Sequence, residues 1–338
     1  MSQRISLQLS SAVGIALLTV TTSLVGCNTE TNQPVVSSPT PIAQTVPPNK
    51  TEALPEVVST STVICGLTKQ IAGDTINLKC LIDPGTDPHT YEPKPDDRKA
   101  IDTAKLILYG GYNFEPRLIK LIDASSNSAP KIAVDEIAVP NPQKFDEDGK
   151  SVTDPHVWNN AKNGIAIAKT ISKNLTILRP DQSETYAKNT TRITNELEQI
   201  DTWIKSQIAT IPTNSRKLVT THDAFGYYAK AYGIPIEGAL GGVSTEEQPT
   251  PTRIKELVKE IKDTSVPAIF AEVTINPKLI NTVAKEANVK VSERELFADG
   301  LGEKGSEGET YAGMLIANTR SIVEGLGGKY TPFELKNP

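Results

Sequence analysis

The residues of this sequence that are best suited to metal chemistry are its three histidines. His89 lies in the segment DPGTDPHTYEP, His156 in DPHVW and His222 in THDAFGYY. Neutral imidazole is a common ligand for zinc, manganese and their neighbours. His89 and His156 each follow an Asp-Pro pair, whose proline restrains the backbone before the imidazole. A single histidine is more often a surface or hydrogen-bonded core residue, but three in similar loops favour a shared metal site.

The elements that must position these histidines form a repeating strand–helix pattern, and a length of 338 residues suggests about two domains. Strands are predicted at 57–66, 76–82, 106–109, 131–134, 217–221, 235–239, 268–273 and 289–291. This repetition predicts an α/β fold of two lobes, each a roughly four-stranded parallel sheet flanked by helices. Ligands bind beyond the carboxyl ends of such strands, where the histidines lie. Two histidines come from the first half and one from the second, so we expect them to meet between the lobes.

A long segment without glycine or proline connects the two halves at residues 181–211. Its apolar residues recur at steps of three, four and seven, which is helical spacing. Pro180 precedes the segment at a position suited to a first helical turn, and Pro212 follows it. We therefore predict one long backbone helix that joins an N-terminal lobe at 57–180 to a C-terminal lobe at 212–338.

A fourth metal donor is expected from the C-terminal lobe, because divalent metals usually take four or more ligands. Asp299, in ELFADGLG directly after the last predicted strand, is the best candidate; a helix-cap or turn residue is the alternative reading. Three neutral imidazoles and one carboxylate around a divalent ion leave a net charge of about +1. Glu272, at the end of a predicted strand, is a candidate for orienting one imidazole ring, and an ordinary strand-end carboxylate is the alternative.

The N-terminal segment has the pattern of a bacterial lipoprotein signal. The apolar run at 12–25 is too short to span a membrane but fits the apolar region of a signal peptide. It leads into LVGC, which resembles a lipobox, so we predict removal of residues 1–26 and a lipid on Cys27. A plain signal peptide with an incidental cysteine is the alternative. Residues 27–56 contain six prolines and few charges, which predicts a disordered tether that holds the protein at the outer face of the cytoplasmic membrane.

Two further cysteines, Cys65 and Cys80, lie in two predicted strands separated by a short helix. Neighbouring parallel strands could bring them within bridging distance, and the compartment outside the membrane is oxidising. We predict a disulfide, with two buried thiols as the alternative. The sequence contains no CxxC motif, so neither reading makes the pair redox-active.

At this point the residues match a known family. The matching segments are DPHTYEP at 87–93, DPHVW at 154–158, THDAFGYYAKAYG at 221–233, and ELFADGLG with SEGETYAGM at 295–314. On these segments the chain resembles the metal-specific substrate-binding proteins of bacterial ABC importers for zinc and manganese, the TroA-like cluster A-I group. The resemblance covers most of the chain after residue 57. It implies two lobes joined by one long helix, with a metal ion buried between them.

The resemblance also implies that His89, His156, His222 and Asp299 bind the transported metal, and that an ABC-transporter membrane permease is the partner. Many zinc members carry a histidine-rich loop where this chain has residues 138–153, which contain no histidine. Dedicated manganese members often have glutamate where this chain has His222. Nitrogen donors favour Zn²⁺ over Mn²⁺, so Zn²⁺ is the favoured cargo and Mn²⁺ the other possibility.

The remaining composition narrows the class of function. A net charge of −5 without runs of lysine or arginine argues against a nucleic-acid partner. We expect a monomeric, high-affinity metal carrier and not an enzyme. A zinc hydrolase would need an open coordination position and a general base, and the sequence has no HExxH motif. An adhesin or structural lipoprotein stabilised by metal is the other rival, and it would unfold on chelation.

Overall fold

The structure is a computed structural model that describes residues 53–147 and 149–336. The predicted signal peptide at 1–26, the predicted lipidation site Cys27 and nearly all of the predicted tether lie outside the described residues. Within the described part of the chain, no helix is long and apolar enough to cross a membrane. The described residues belong to one compact unit.

The N-terminal lobe contains a four-stranded parallel sheet, as the strand–helix repetition predicts. Its strands are β1 (Glu56–Ser59), β2 (Asn77–Cys80), β3 (Leu106–Tyr109) and β4 (Lys131–Ala133). They are arranged in the order β2-β1-β3-β4, and every neighbouring pair is parallel. Successive residues of β1 and β3 are buried, because helices cover both faces of the sheet. The carboxyl ends of all four strands therefore open onto one edge.

Ten α-helices surround the sheets in the described residues. They are α1 (Thr62–Ala72), α2 (Pro95–Thr103), α3 (Pro116–Ala124), α4 (Val134–Ala138), α5 (Ala161–Leu178), α6 (Ser183–Ile208), α7 (Gly226–Tyr232), α8 (Pro251–Thr264), α9 (Lys278–Ala287) and α10 (Tyr311–Gly325). Several begin at side-chain caps: the hydroxyls of Thr250 and Thr310 accept hydrogen bonds from the first turns of α8 and α10.

The placement of Cys65 in a strand is wrong. The first predicted strand, 57–66, ends as β1 at Ser59, and Cys65 lies in α1. The side chain of Ser61 accepts a hydrogen bond from the backbone N–H of Ile64 and so caps the start of this helix. The predicted disulfide is confirmed, since Cys65 and Cys80 are bonded with their Cα atoms 5.8 Å apart. It connects a helix to β2 and does not join two strands.

The predicted long helix is present as α6. It contains 26 residues, which at 1.5 Å per residue gives a length of about 39 Å. All the apolar residues at helical spacing are buried: Tyr186, Ile193, Leu197, Ile200, Ile204 and Ile208. This face packs on α1 and α5 of the N-terminal lobe and on α10 of the C-terminal lobe. The helix therefore contributes to the core of both lobes.

The C-terminal lobe is built on two two-stranded parallel sheets in place of the predicted four-stranded one. Their strands are β7 (Leu218–Thr220) with β8 (Ile236–Ala239), and β9 (Ala268–Ile269) with β10 (Lys290–Val291). The pairs β7–β8 and β9–β10 are joined by a hydrogen bond of 2.9 Å from the backbone N–H of Phe270 to the carbonyl of Val219. Beyond β9 a single parallel bridge pairs Glu272 with Leu296. The predicted strand at 268–273 is therefore a two-residue strand followed by an isolated bridge.

An antiparallel hairpin occupies part of the histidine-free segment 138–153. It consists of β5 (Lys144–Glu147) and β6 (Lys150–Thr153), in which Phe145 pairs with Val152. The hairpin leads directly into the loop that carries His156. It thus anchors one end of the segment that approaches the predicted metal site.

Candidate metal centre

The four predicted donor residues all lie in loops that follow strands. His89 lies between β2 and α2, His156 between β6 and α5, His222 directly after β7, and Asp299 after β10. Each side chain is at most 1% exposed. Polar side chains with so little exposure need partners, because burial removes their hydrogen bonds to water.

The structure brings these four side chains to one point. The Nε2 atoms of His89 and His222 lie 3.3 and 3.4 Å from Nε2 of His156. Oδ1 of Asp299 lies 3.7, 3.3 and 3.2 Å from Nε2 of His89, His156 and His222. They are the one group of three or more potential metal-binding side chains found in the described residues. A regular tetrahedron with edges of about 3.4 Å has its corners about 2.1 Å from its centre, close to the bond lengths of zinc to nitrogen and oxygen.

Two carboxylates orient two of the imidazole rings. Oδ1 of Asp154 lies 2.8 Å from Nδ1 of His156 and also accepts the backbone N–H of that residue. Glu272 accepts a hydrogen bond from Nδ1 of His222 through Oε2. Since a carboxylate only accepts, Nδ1 carries the proton in both rings and Nε2 presents its lone pair to the centre. Lone pairs therefore face one another across 3.2–3.4 Å, and a cation at the centre would satisfy them.

The pKa values of His156, His222 and Asp299 are shifted because these buried groups lie so close together. Burial lowers the pKa of His156, but the hydrogen bonds that its protonated ring would donate to Asp154 and Asp299 outweigh burial and leave the pKa raised. Burial also lowers the pKa of His222, and the charges of Asp299 and Glu272 raise it well above the ordinary imidazole value. Burial raises the pKa of Asp299, but the neighbouring imidazoles hold it well below the usual range. Protons therefore compete with a metal ion for the nitrogen atoms.

Contacts across the two lobes hold the Asp299 loop in place. The indole N–H of Trp158 donates to the carbonyl of Ala298 at 3.0 Å, one residue before the carboxylate. The backbone N–H of Leu301 donates to the hydroxyl of Thr62 at 2.8 Å. A side chain at Gly300 would collide with that hydroxyl, so the close approach requires glycine at this position. The loop of the C-terminal lobe is thus fixed by groups of the N-terminal lobe.

Two aromatic rings, those of Phe114 and Trp158, pack against the imidazoles of His89 and His156. Phe114 makes an edge contact with His89 at a centroid distance of 5.2 Å, and it packs against Trp158 at 4.5 Å. Both rings are at most 1% exposed. They keep water away from two of the imidazoles and restrict the movement of the rings.

An open cleft of about 400 Å³ reaches His222, and both lobes contribute to its walls. Asp87 and Thr90 line it from the N-terminal lobe, and His222 and Thr274 line it from the C-terminal lobe. Across the cleft, Thr245 donates a hydrogen bond of 2.6 Å to Oδ2 of Asp87. The cleft connects the surface of the protein to the ring of His222.

Sequence reasoning named the four converging residues and named Glu272 as a candidate for orienting an imidazole ring, which the structure shows to be that of His222. It missed two neighbours. Asp154 lies two residues before His156 in the Asp-Pro-His segment. This spacing could have indicated that the carboxylate of Asp154 orients the imidazole ring of His156. Thr274 donates from its hydroxyl to Oδ2 of Asp299 at 3.0 Å. Nothing in the local sequence marks Thr274, because the two residues are 25 positions apart.

Comparison with known proteins agrees with this fold. A family model described as ZnuA, zinc-uptake complex component A, periplasmic, matches residues 57–325. The chain is 37% identical over 278 residues to the manganese ABC transporter substrate-binding lipoprotein PsaA of Streptococcus mitis, covering 80% of this chain and 89% of that protein. It is 35% identical to the metal ABC transporter substrate-binding lipoprotein FimA of Streptococcus parasanguinis, over 80% of this chain and 89% of the relative.

Solved structures give the same result. The periplasmic zinc-binding protein TroA from Treponema pallidum superimposes with a TM-score of 0.77 and 31% identity, covering 81% of this chain and 99% of that one. Fe(III)-bound YtgA from Chlamydia trachomatis superimposes with a TM-score of 0.72 at 25% identity, covering 82% and 99% of the two chains. The fold and the matches define a metal-binding substrate-binding protein with two lobes. The chain belongs to the ZnuA family of such proteins.

Proposed function

We propose that this protein captures one divalent transition-metal ion outside the cytoplasmic membrane and delivers it to the membrane permease of an ABC importer. The ligands would be His89, His156, His222 and Asp299. The observation that carries the proposal is the convergence of four buried acceptor atoms, from loops of both lobes, at separations that suit a single metal ion. Relatives are named as substrate-binding lipoproteins of metal ABC transporters, which supports the transport role.

Zn²⁺ is the cargo that the donor set favours. Three of the four donors are imidazole nitrogens, which bind zinc more strongly than manganese. The separations among the donor atoms also suit the four-coordinate geometry that zinc adopts readily, whereas Mn²⁺ favours more oxygen ligands. The names of the relatives include both manganese and zinc proteins, so the donor chemistry of this chain is the basis for the choice.

We further propose that the mature protein is a monomer anchored by a lipid on Cys27 after removal of residues 1–26. Residues 27–56 would form the tether, followed by the lobes at 57–180 and 212–338 with the linking helix at 181–211 between them. The lipobox-like segment and the lipoprotein names of the relatives support the anchor. Substituting Cys27→Ser should release the protein from membrane fractions, and an unchanged membrane fraction would argue against the anchor.

Metal analysis tests the carrier function directly. Protein purified without added metal should contain up to one transition-metal ion per chain, and Zn²⁺ should displace Mn²⁺ in competition. After chelation the protein should retain its far-UV circular dichroism and rebind metal, because a carrier must be stable when empty. Loss of the helical signal on chelation would instead indicate a structural metal site. Failure to bind either ion at one equivalent would contradict the proposed function.

A further inference from the structure

The two carboxylate oxygens of Asp299 have different surroundings. Oδ1 is the oxygen that lies 3.2–3.7 Å from the imidazole nitrogens of all three histidines. Oδ2 accepts a hydrogen bond of 3.0 Å from the hydroxyl of Thr274. One oxygen therefore faces the centre, and the other is held by a neutral donor.

We propose that Thr274 is a positioning residue that sets the metal selectivity of this site, because it holds Asp299 to coordination through one oxygen. The inference rests on the proposed metal-carrier function and adds a determinant of which ion is preferred. With Oδ2 held by the hydroxyl, the protein supplies four donor atoms. If Oδ2 were free to rotate inward, Asp299 could chelate through both oxygens and supply a fifth.

The number of donors discriminates between the two candidate ions. Zn²⁺ has no geometric preference from its d electrons and is readily four-coordinate. Mn²⁺ is harder, binds carboxylate oxygen well, and favours octahedral oxygen-rich sites. A hydrogen bond to Oδ2 also withdraws electron density from that oxygen, which makes it a poorer ligand. Thr274 therefore disfavours Mn²⁺ more than Zn²⁺.

The location of Thr274 supports a role at the metal centre. It lies in the turn that follows Glu272, in which the backbone N–H of Ile275 bonds to the carbonyl of Glu272 at 3.3 Å. Glu272 orients His222, and Thr274 holds Asp299, so one short turn positions both ligands of the C-terminal lobe. Thr274 is half-buried and lines the open cleft beside His222. Thr274 thus contacts Asp299 from the wall of the cleft.

The test compares Thr274→Val, which keeps the shape of the side chain and removes the hydroxyl, with Thr274→Ser, which keeps the hydroxyl. Thr282→Val is the matched control, because this exposed threonine of α9 donates to the carbonyl of Lys278 in its own helix. Dissociation constants for Zn²⁺ and Mn²⁺ are measured in competition with a chelating indicator. Thr274→Val should lower the ratio of the Mn²⁺ dissociation constant to the Zn²⁺ dissociation constant by about tenfold. The Thr274→Ser and Thr282→Val variants should keep the wild-type ratio.

Cobalt provides a second measurement on the same variants. Co²⁺ bound to the wild type should show the intense visible absorption of a four-coordinate ion, and Thr274→Val should weaken it as the coordination number rises. Thr274→Ala serves as a further hydroxyl-free variant if Thr274→Val does not fold.

The outcomes separate this inference from the function on which it rests. An equal loss of affinity for both ions in Thr274→Val, or an unchanged ratio and cobalt spectrum, would overturn the role of Thr274 in selectivity and leave the carrier function standing. A wild-type protein that binds neither ion would overturn the carrier function and the inference together.

Discussion

Replacing Glu272 with glutamine should impair metal binding through the tautomer of His222. Glu272 is 1% exposed and accepts three hydrogen bonds. Oε2 accepts from Nδ1 of His222, while Oε1 accepts from the backbone N–H groups of Thr221 and His222 at 2.9 and 3.1 Å. The substitution Glu272→Gln keeps the size of the side chain and converts one of the two acceptors into a donor.

The orientation of the new amide follows from counting these hydrogen bonds. The amide oxygen should remain on the two backbone N–H groups, because the opposite orientation would leave two buried donors unpaired. The amide NH₂ then faces Nδ1 of His222 and favours the tautomer that carries its proton on Nε2. That proton points to the metal position. A hydrogen bond to a charged acceptor contributes about 1.5–3 kcal/mol, so we expect metal affinity to fall by about 10- to 100-fold.

The assay is a competition titration of Zn²⁺ against a chelating indicator at pH 7.5. Glu286→Gln, at an exposed position of α9, is the matched control and should bind as the wild type does. Far-UV circular dichroism checks that Glu272→Gln is folded. A folded Glu272→Gln variant whose dissociation constant lies within about threefold of the wild type would refute the tautomer mechanism, since such a change is below 1 kcal/mol.

Three other measurements follow from the structure. Substituting His89→Ala removes one of four donors and should weaken Zn²⁺ binding by orders of magnitude without changing circular dichroism; an unchanged titration would exclude His89 as a ligand. The pKa values of His156 and His222 are raised, and a metal ion binds only the neutral imidazole. Metal affinity should therefore start to fall at a pH above 6.5, the ordinary imidazole pKa, as the pH is lowered. An affinity that is constant down to pH 6 would contradict this. Replacing both Cys65 and Cys80 with serine opens a loop whose ends are 15 residues apart in sequence. The free energy of unfolding, measured by denaturant titration, should fall by about 3 kcal/mol. A free energy of unfolding equal to that of the wild type would show that the disulfide is not stabilising.

Much of the fold could be predicted because it depends on local patterns. Each of the eight predicted strands overlaps an observed strand, although several observed strands are shorter, and the helical spacing of apolar residues correctly predicts α6. Cys65 was misplaced because the β-branched run before it is typical of a strand, whereas the cap at Ser61 starts a helix there. The hairpin at β5 and β6 was missed among polar residues, although an Asp-Gly pair between its strands is a typical hairpin signal.

The convergence of His89, His156, His222 and Asp299 could be predicted from the sequence by itself, because each lies in a loop that follows a strand, and parallel strands bring such loops to one edge. Only the tertiary structure decided that their acceptor atoms all lie within 4.8 Å of one another. It also decided which neighbours contact them, since Glu272 meets His222 across 50 residues and Thr274 meets Asp299 across 25. The type and spacing of residues determine which chemical groups are available. Contacts between distant segments depend on the packing of whole elements, which no local pattern specifies.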